Sequence, residues 1–240
     1  MAVTTFNCGY IINRCVSNMR TNSVRYFSLK TVKKTFMNYF RPEAPMPPYN
    51  HICQLGDPVL RMKATPVDAK VLQTNEFQKI LEHLARVMRK YQMPGLSAPQ
   101  IGLPLQIFVI EVTEKMLNNI DKEMQQFCEM DQIPLTYFIN PKMVIKNPEE
   151  FAFHELCGSV VGFTGEVLRA KEVEIKALNR LGTPFSWSGK GWAARIVQHE
   201  IDHLNGKIFI DRMDLSTFKC SIWDEINKNK GYVQLKFYVK

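Results

Sequence analysis

Several things are scarce or missing in this 240-residue sequence, and each absence narrows the field. No uninterrupted run of about 18 apolar residues occurs, so nothing reads as a membrane-spanning helix. The six cysteines (Cys8, Cys15, Cys53, Cys128, Cys157, Cys220) form no C-x-x-C pair. Such spacing suits a reducing compartment better than a small disulfide-stapled secreted fold. Internal repeats and low-complexity tracts are also missing. Residues 1–42 contain no acidic side chain but seven basic ones: Arg14, Arg20, Arg25, Lys30, Lys33, Lys34 and Arg41. The formal net charge of +8 therefore sits almost wholly in that segment, since 24 basic residues face 23 acidic ones from position 43 onward. The body of the chain is no basic nucleic-acid binder, and no nucleic acid is required by its charge.

What is present is a chain 45% hydrophobic, enough to build a packed core and to exclude a disordered polymer. The basic tail, rich in Ser, Thr and Asn, has the composition of a mitochondrial transit peptide, with Arg25-Tyr26-Phe27-Ser28 as a processing site cut before Ser28. A basic arm that binds RNA or an acidic surface is the alternative. Four prolines between Pro42 and Pro48 predict an extended spacer over 43–50, leaving 51–240 as the folded domain. Phe77, Ile80, Leu81, Leu84, Val87, Met88 and Tyr91 recur at helical spacing, with Asn75 as N-cap and Pro94-Gly95 as the stop. Leu105–Val112 reads as a buried strand. Val173, Ile175 and Ala177 alternate, and Asn179–Gly182 turns into a partner strand through Phe185 and Trp187. Val233, Leu235, Phe237 and Val239 alternate again. Helices interspersed with antiparallel hairpins, without a βαβ rhythm, indicate an α+β fold.

The chemistry is concentrated in Gln198-His199-Glu200-Ile201-Asp202-His203-Leu204. On a helix ending at Asn205-Gly206, His199 and His203 lie one turn apart on one face, so both imidazoles can bind one metal ion. Glu200 sits where it can act as general base on a water while staying off the metal. A catalytic site needs a third protein ligand. A third histidine at 209 is excluded, because that residue is Phe209. Two options remain: Glu225 downstream, as in one class of H-E-x-x-H metallopeptidase, or a thiolate from elsewhere. Taken alone, Cys157 reads as a buried small apolar side chain. Arg195, one turn before His199, reads as an exposed helix arginine.

Two further segments bear on that choice: Gly95-Leu96-Ser97-Ala98-Pro99-Gln100-Ile101-Gly102 and His154-Glu155-Leu156-Cys157-Gly158-Ser159. In order, the three segments resemble the motifs of the peptide deformylases, a G-x-[AS]-A-P-Q-x-G loop, an E-x-C-x-S segment and H-E-x-D-H. The resemblance runs from Gln54-Leu55-Gly56-Asp57 to Asp211-Arg212-Met213, and the tail and Ser97 are similar to mitochondrial, animal-type members. It implies antiparallel β-sheets around a central metal-binding helix. It also implies Cys157, His199 and His203 as ligands of one divalent ion, Fe2+ or Zn2+, with Co2+ able to substitute.

On the same resemblance Glu200 is the general acid/base, and Gln100 and the Gly158 N–H are donors to the formyl oxygen. Gly95, Glu155, Leu156 and Ile196 are expected at the substrate, with Ile196 and Val197 around its methionine. Asp202 is expected to orient a histidine, and Arg169 to pair with Glu155. The implied substrate is the N-formyl-methionyl end of a nascent chain in the mitochondrial matrix, close to the ribosome, with a homodimer admitted. Departures from the pattern are Met93 for the motif's first glycine, Pro94, Leu156 where Gly is frequent, Gly158 where bacterial members have Leu, Val161 and Thr164. They leave open a metal-stabilised binding protein without turnover.

Overall fold

The computed structural model describes residues 46–239. The basic tail and the cleavage site expected in it lie outside the described residues. Of the spacer expected over 43–50, the described part is already tied to the domain. Tyr49 N donates to Ile101 O at 2.9 Å, and its carbonyl lies 2.8 Å from His83 Nε2.

The first helix, α1 (Asn75–Lys90), is capped by the Thr74 hydroxyl, which accepts from Phe77 N. The cap thus falls one residue before the Asn75 expected. Then follow β1 (Gly95–Ser97), a 3-10 turn (Ala98–Ile101), β2 (Ile107–Val112), and two short helices, α2 (Glu114–Leu117) and α3 (Lys122–Phe127). β3 (Ile133–Glu155) and β4 (Phe163–Leu178) form a long antiparallel pair. β5 (Pro184–Lys190), α4 (Gly191–Leu204), β6 (Lys219–Cys220) and α5 (Trp223–Lys228) complete the order.

The strands lie in the order β1-β2-β3-β4-β5, every pairing antiparallel, with β6 joining β4. The expected hairpin is β4–β5, with Ala177 opposite Phe185 and Ile175 opposite Trp187. Strand periodicity places β2 between two cores. Ile107 and Val109 pack with Leu81, Leu84 and Met88 of α1, while Phe108 and Ile110 pack with Ala194, Ile196 and Val197 of α4. The α+β class holds, with α4 as the buried helix against the sheet. The 23-residue β3 bends at irregularities between Ile139 and Glu150. Its far end, Glu155, is thereby delivered to the side of α4.

The strand expected over 233–239 does not form. These residues are irregular, with a bend at Phe237 and no ladder pairing, and their apolar side chains serve another purpose, described below.

Candidate metal centre

α4 carries the H-E-x-D-H segment, and its helical geometry sets His199 and His203 side by side, ring centroids 5.1 Å apart. Cys157 comes from the loop between β3 and β4, and its Sγ lies 3.3 Å from His203 Nε2. One potential ligand atom from each of Cys157, His199 and His203 lies within 4.8 Å of the other two. Glu225 is exposed on α5 and does not join them. Among the described residues no other such cluster of His, Cys, Asp and Glu occurs.

The sulfur is held in place by the chain around it. Ser159 N points at it from 3.4 Å and Gln100 Nε2 from 3.7 Å. Gln100 is fully buried, and its carbonyl accepts from the backbone N–H and hydroxyl of Ser97, both at 3.0 Å. Its NH2 end therefore faces Cys157 and Ser159 Oγ, the latter at 3.2 Å. The Gln100 side chain thus both closes the turn at Ser97 and reaches the cysteine loop. Gly158 O accepts from Gln54 Nε2 at 2.8 Å, which fixes the following peptide plane.

Behind His199 lies a network of buried charge. Glu155 Oε2 is 2.9 Å from His199 Nδ1 and accepts from Arg169 Nη2 at 2.9 Å. Its Oε1 accepts from Arg169 Nε and Arg195 Nη1, both at 2.8 Å. Four donors saturate the carboxylate. Burial alone would raise its pKa, but Arg169 and His199 hold it well below the usual carboxylate range. The expected pairing of Arg169 with Glu155 is present, and Glu155 also lines the cavity described below, its two oxygens already held by these donors.

Two other expectations are corrected by the same network. Arg195 is only 2% exposed, donating also to Val167 O at 3.0 Å and Phe151 O at 2.7 Å. Asp202 meets Arg169 and Arg212 rather than a histidine. Burial works against a charged His199, yet Cys157 and Glu155 overcome it and raise its pKa well above the ordinary value. Burial and the charge of His199 push His203 well below its ordinary value, so it stays neutral and ready to donate a lone pair.

Glu200 is in the opposite condition. It is 3% exposed, and its Oε2 has no hydrogen-bond partner. Burial pushes its pKa up to about 7, against the lowering influence of His199 and Ser97. A carboxyl tuned to neutrality with one unsatisfied oxygen is suited to shuttling a proton. Gly95 makes room for it, since a Cβ there would lie 2.7 Å from Glu200 Oε1 and 3.0 Å from Ile196 Cγ2.

A cavity of about 460 Å3 opens over Cys157, His199 and Glu200. Gly95, Leu156, Gly158 and Ile196 line it, with Leu156 65% exposed. Val197 does not line it and packs in the core instead. β1 ends the sheet, so its edge at Gly95 meets this cavity. Two of the departures touch: a Cβ at Gly158 would lie 2.8 Å from Met93 Sδ and 2.9 Å from Ile52 Cδ1, so Met93 occupies space that a larger side chain at 158 would need. Thr164 bonds Glu155 O at 2.8 Å and pins the start of the cysteine loop.

A soft thiol and two imidazoles facing one point, beside a carboxyl poised to move a proton, fit a single metal ion and define a metal-dependent hydrolase. Residues 49–219 match the polypeptide deformylase family. The chain is 41% identical to the human mitochondrial peptide deformylase over 183 residues, 76% of this chain and 75% of that protein. It is 34% identical to peptide deformylase 1A, chloroplastic/mitochondrial, of Arabidopsis thaliana over 210 residues, 88% and 77% of the two chains. The peptide deformylase structure from Thermotoga maritima superposes with a TM-score of 0.57 at 31% identity, covering 69% of this chain and 98% of that one. A Met-Ala-Ser-bound class I type b enzyme from Acinetobacter baumannii gives 0.60 at 26% identity, covering 72% and 100%. The chain belongs to the polypeptide deformylase family.

Proposed function

We propose that Cys157, His199 and His203 hold one divalent ion, Fe2+ or Zn2+ with Co2+ able to substitute, and that Glu200 is the general acid/base of deformylation. As a family member the chain is a metal-dependent hydrolase removing the N-formyl group from new polypeptides. The observation that carries the residue assignment is the unpaired, buried Glu200 oxygen beside three converging ligand atoms. Bound there, the ion supplies Lewis-acid polarisation and a lowered pKa for water.

The remaining work falls to the chain. Glu200 takes the proton of the attacking water and returns it to the leaving amine, as oxygen adds to the formyl carbon and the C–N bond breaks to give formate. Gln100 Nε2 and the Gly158 N–H donate to the oxygen on which charge develops. The edge of β1 at Gly95 and the Leu156 main chain hold the substrate as an added strand, with Ile196 beside its methionine. Glu155 positions His199 from the wall of the substrate cavity.

Residues 1–42 are read as a mitochondrial presequence, a reading supported by the mitochondrial relatives, with the enzyme working in the matrix near the ribosome that supplies its substrates. No helix among the described residues is long and apolar enough to cross a membrane.

Formate release from a formyl-Met-Ala peptide tests the assignment, using protein reconstituted without oxygen with iron, cobalt or zinc. Metal-dependent release that Glu200→Ala abolishes is the expected result. Stoichiometric metal without formate under any ion would favour the binding-protein reading. Metal retention by Cys157→Ala would return the metallopeptidase reading.

A further inference from the structure

The family match stops at residue 219, yet the cavity over Cys157 has a wall made by residues beyond it. β6 and α5 bring the chain back beside the cysteine loop, where Ser221 N donates to Gly162 O at 2.9 Å. The chain turns at Gly231, whose φ of 86° lies in the left-handed region, and continues without regular structure. Val233 and Leu235 line a small apolar cavity with Phe163, Ile222 and Ile226. The Leu235 side chain sits directly over Gly162, its Cδ2 3.1 Å from where a Cβ would stand.

Lys236 and Phe237 come next and line the large cavity. On its other side Tyr91 Oη donates to Phe237 O at 3.0 Å, and Lys90 Nζ lies 3.6 Å from the Tyr238 ring centroid. Gly162 and Tyr91 both belong to the cavity lining, so the segment is anchored to two separate parts of the chain that line it. Val233 and Leu235 thus serve the small apolar cavity, and Lys236 and Phe237 the large one, without a strand forming.

The charge at this mouth is one-sided. Of the carboxylates lining the cavity, Glu155 and Glu200 are buried, at 5% and 3% exposure, while Lys236 is exposed. A peptide seated in this cavity therefore shares it with one exposed ammonium and no exposed carboxylate.

We propose that residues 233–239 form a strap closing the outer substrate groove, and that Lys236 is a specificity-determining residue favouring peptides with an acidic side chain at the second or third position. The proposal rests on the deformylase reading of the site, and goes beyond it to substrate preference. An exposed charge pair sets the scale at about two- to fivefold in kcat/KM, carried in KM and fading as salt rises.

The test compares formyl-Met-Asp-Ala with formyl-Met-Lys-Ala, and formyl-Met-Ala-Asp with formyl-Met-Ala-Lys, on the full chain reconstituted with cobalt. Binding of the four deformylated peptides is measured alongside turnover. The wild type should prefer the acidic member of at least one pair, Lys236→Gln should lose that preference, and Lys236→Glu should reverse it. No charge preference in the wild type, or the same preference in all three proteins, overturns the strap's role. Absence of formate from every peptide sinks the deformylase reading alone, because the binding measurements still decide the role of Lys236.

Discussion

Two carboxylates flank His199, and they are treated in opposite ways. Glu155 meets four hydrogen-bond donors from two arginines and a histidine, while Glu200, the next residue along α4, keeps a buried oxygen with no partner. One pKa is driven down by arginine and imidazole, the other is driven up to about 7 by burial. A group that must stay in place is saturated, because any spare acceptor would let it turn. The group proposed to move a proton is left short of partners.

The largest break in that comparison is Glu200→Gln. It should lower formate release by about 10²–10⁴-fold while metal content, measured by elemental analysis, stays stoichiometric. Glu155→Gln attacks the saturated side. It strands Arg169 and Arg195 with a neutral amide, and a loss of about 3–5 kcal/mol is expected in denaturant unfolding. Metal affinity should fall about 10–100-fold as His199 loses its orienting partner.

The pH dependence of the metal-free protein separates the two further. For Glu200 the folded value of about 7 lies above the ordinary 4.5, so the folded state holds that proton more tightly. Its contribution to stability is therefore lost as pH rises through this window, and Glu200→Gln should gain on the wild type over the same range. The gain should reach up to about 3 kcal/mol and flatten above pH 7. Glu155 has the opposite sign, its contribution lost only in acid. Parallel unfolding curves for wild type and Glu200→Gln from pH 4 to 8 would remove the contrast.

The smallest effect concerns space rather than charge. Gly158→Leu should cost about 1–3 kcal/mol by overpacking against Met93, and adding Met93→Gly should recover part of it. A double variant no better than the single one would show that the two departures are unrelated.

Much of this site was legible in the sequence because the parts are local. Helical spacing puts His199, Glu200 and His203 together whatever surrounds them, and Cys157 and Gln100 sit in short ordered motifs. The long-range partners were not legible. Arg195 reads as a surface residue because a charged helix position is ordinarily solvated, and only the bend of β3 brings Glu155 and Phe151 O to it. Asp202 lies beside a histidine in sequence, but its neighbours in space are Arg169 and Arg212. The alternation of Val233 to Val239 carries the period of a strand, and periodicity does not say whether an edge is waiting for it. The fold class followed from the mixture of helical and hairpin patterns, whereas the bends in β3 have no signature in apolar spacing.

β1 is only three residues long, preceded by Pro94 and followed at once by a 3-10 turn. An unpaired edge is ordinarily a risk, since it invites any exposed strand to join it. Cut to this length, it is too short to template a fibre. On the strand-addition reading proposed above, it would serve as a rail that reads the backbone common to all polypeptides, so that one enzyme could attend to many different newborn chains and let each go after a single cut.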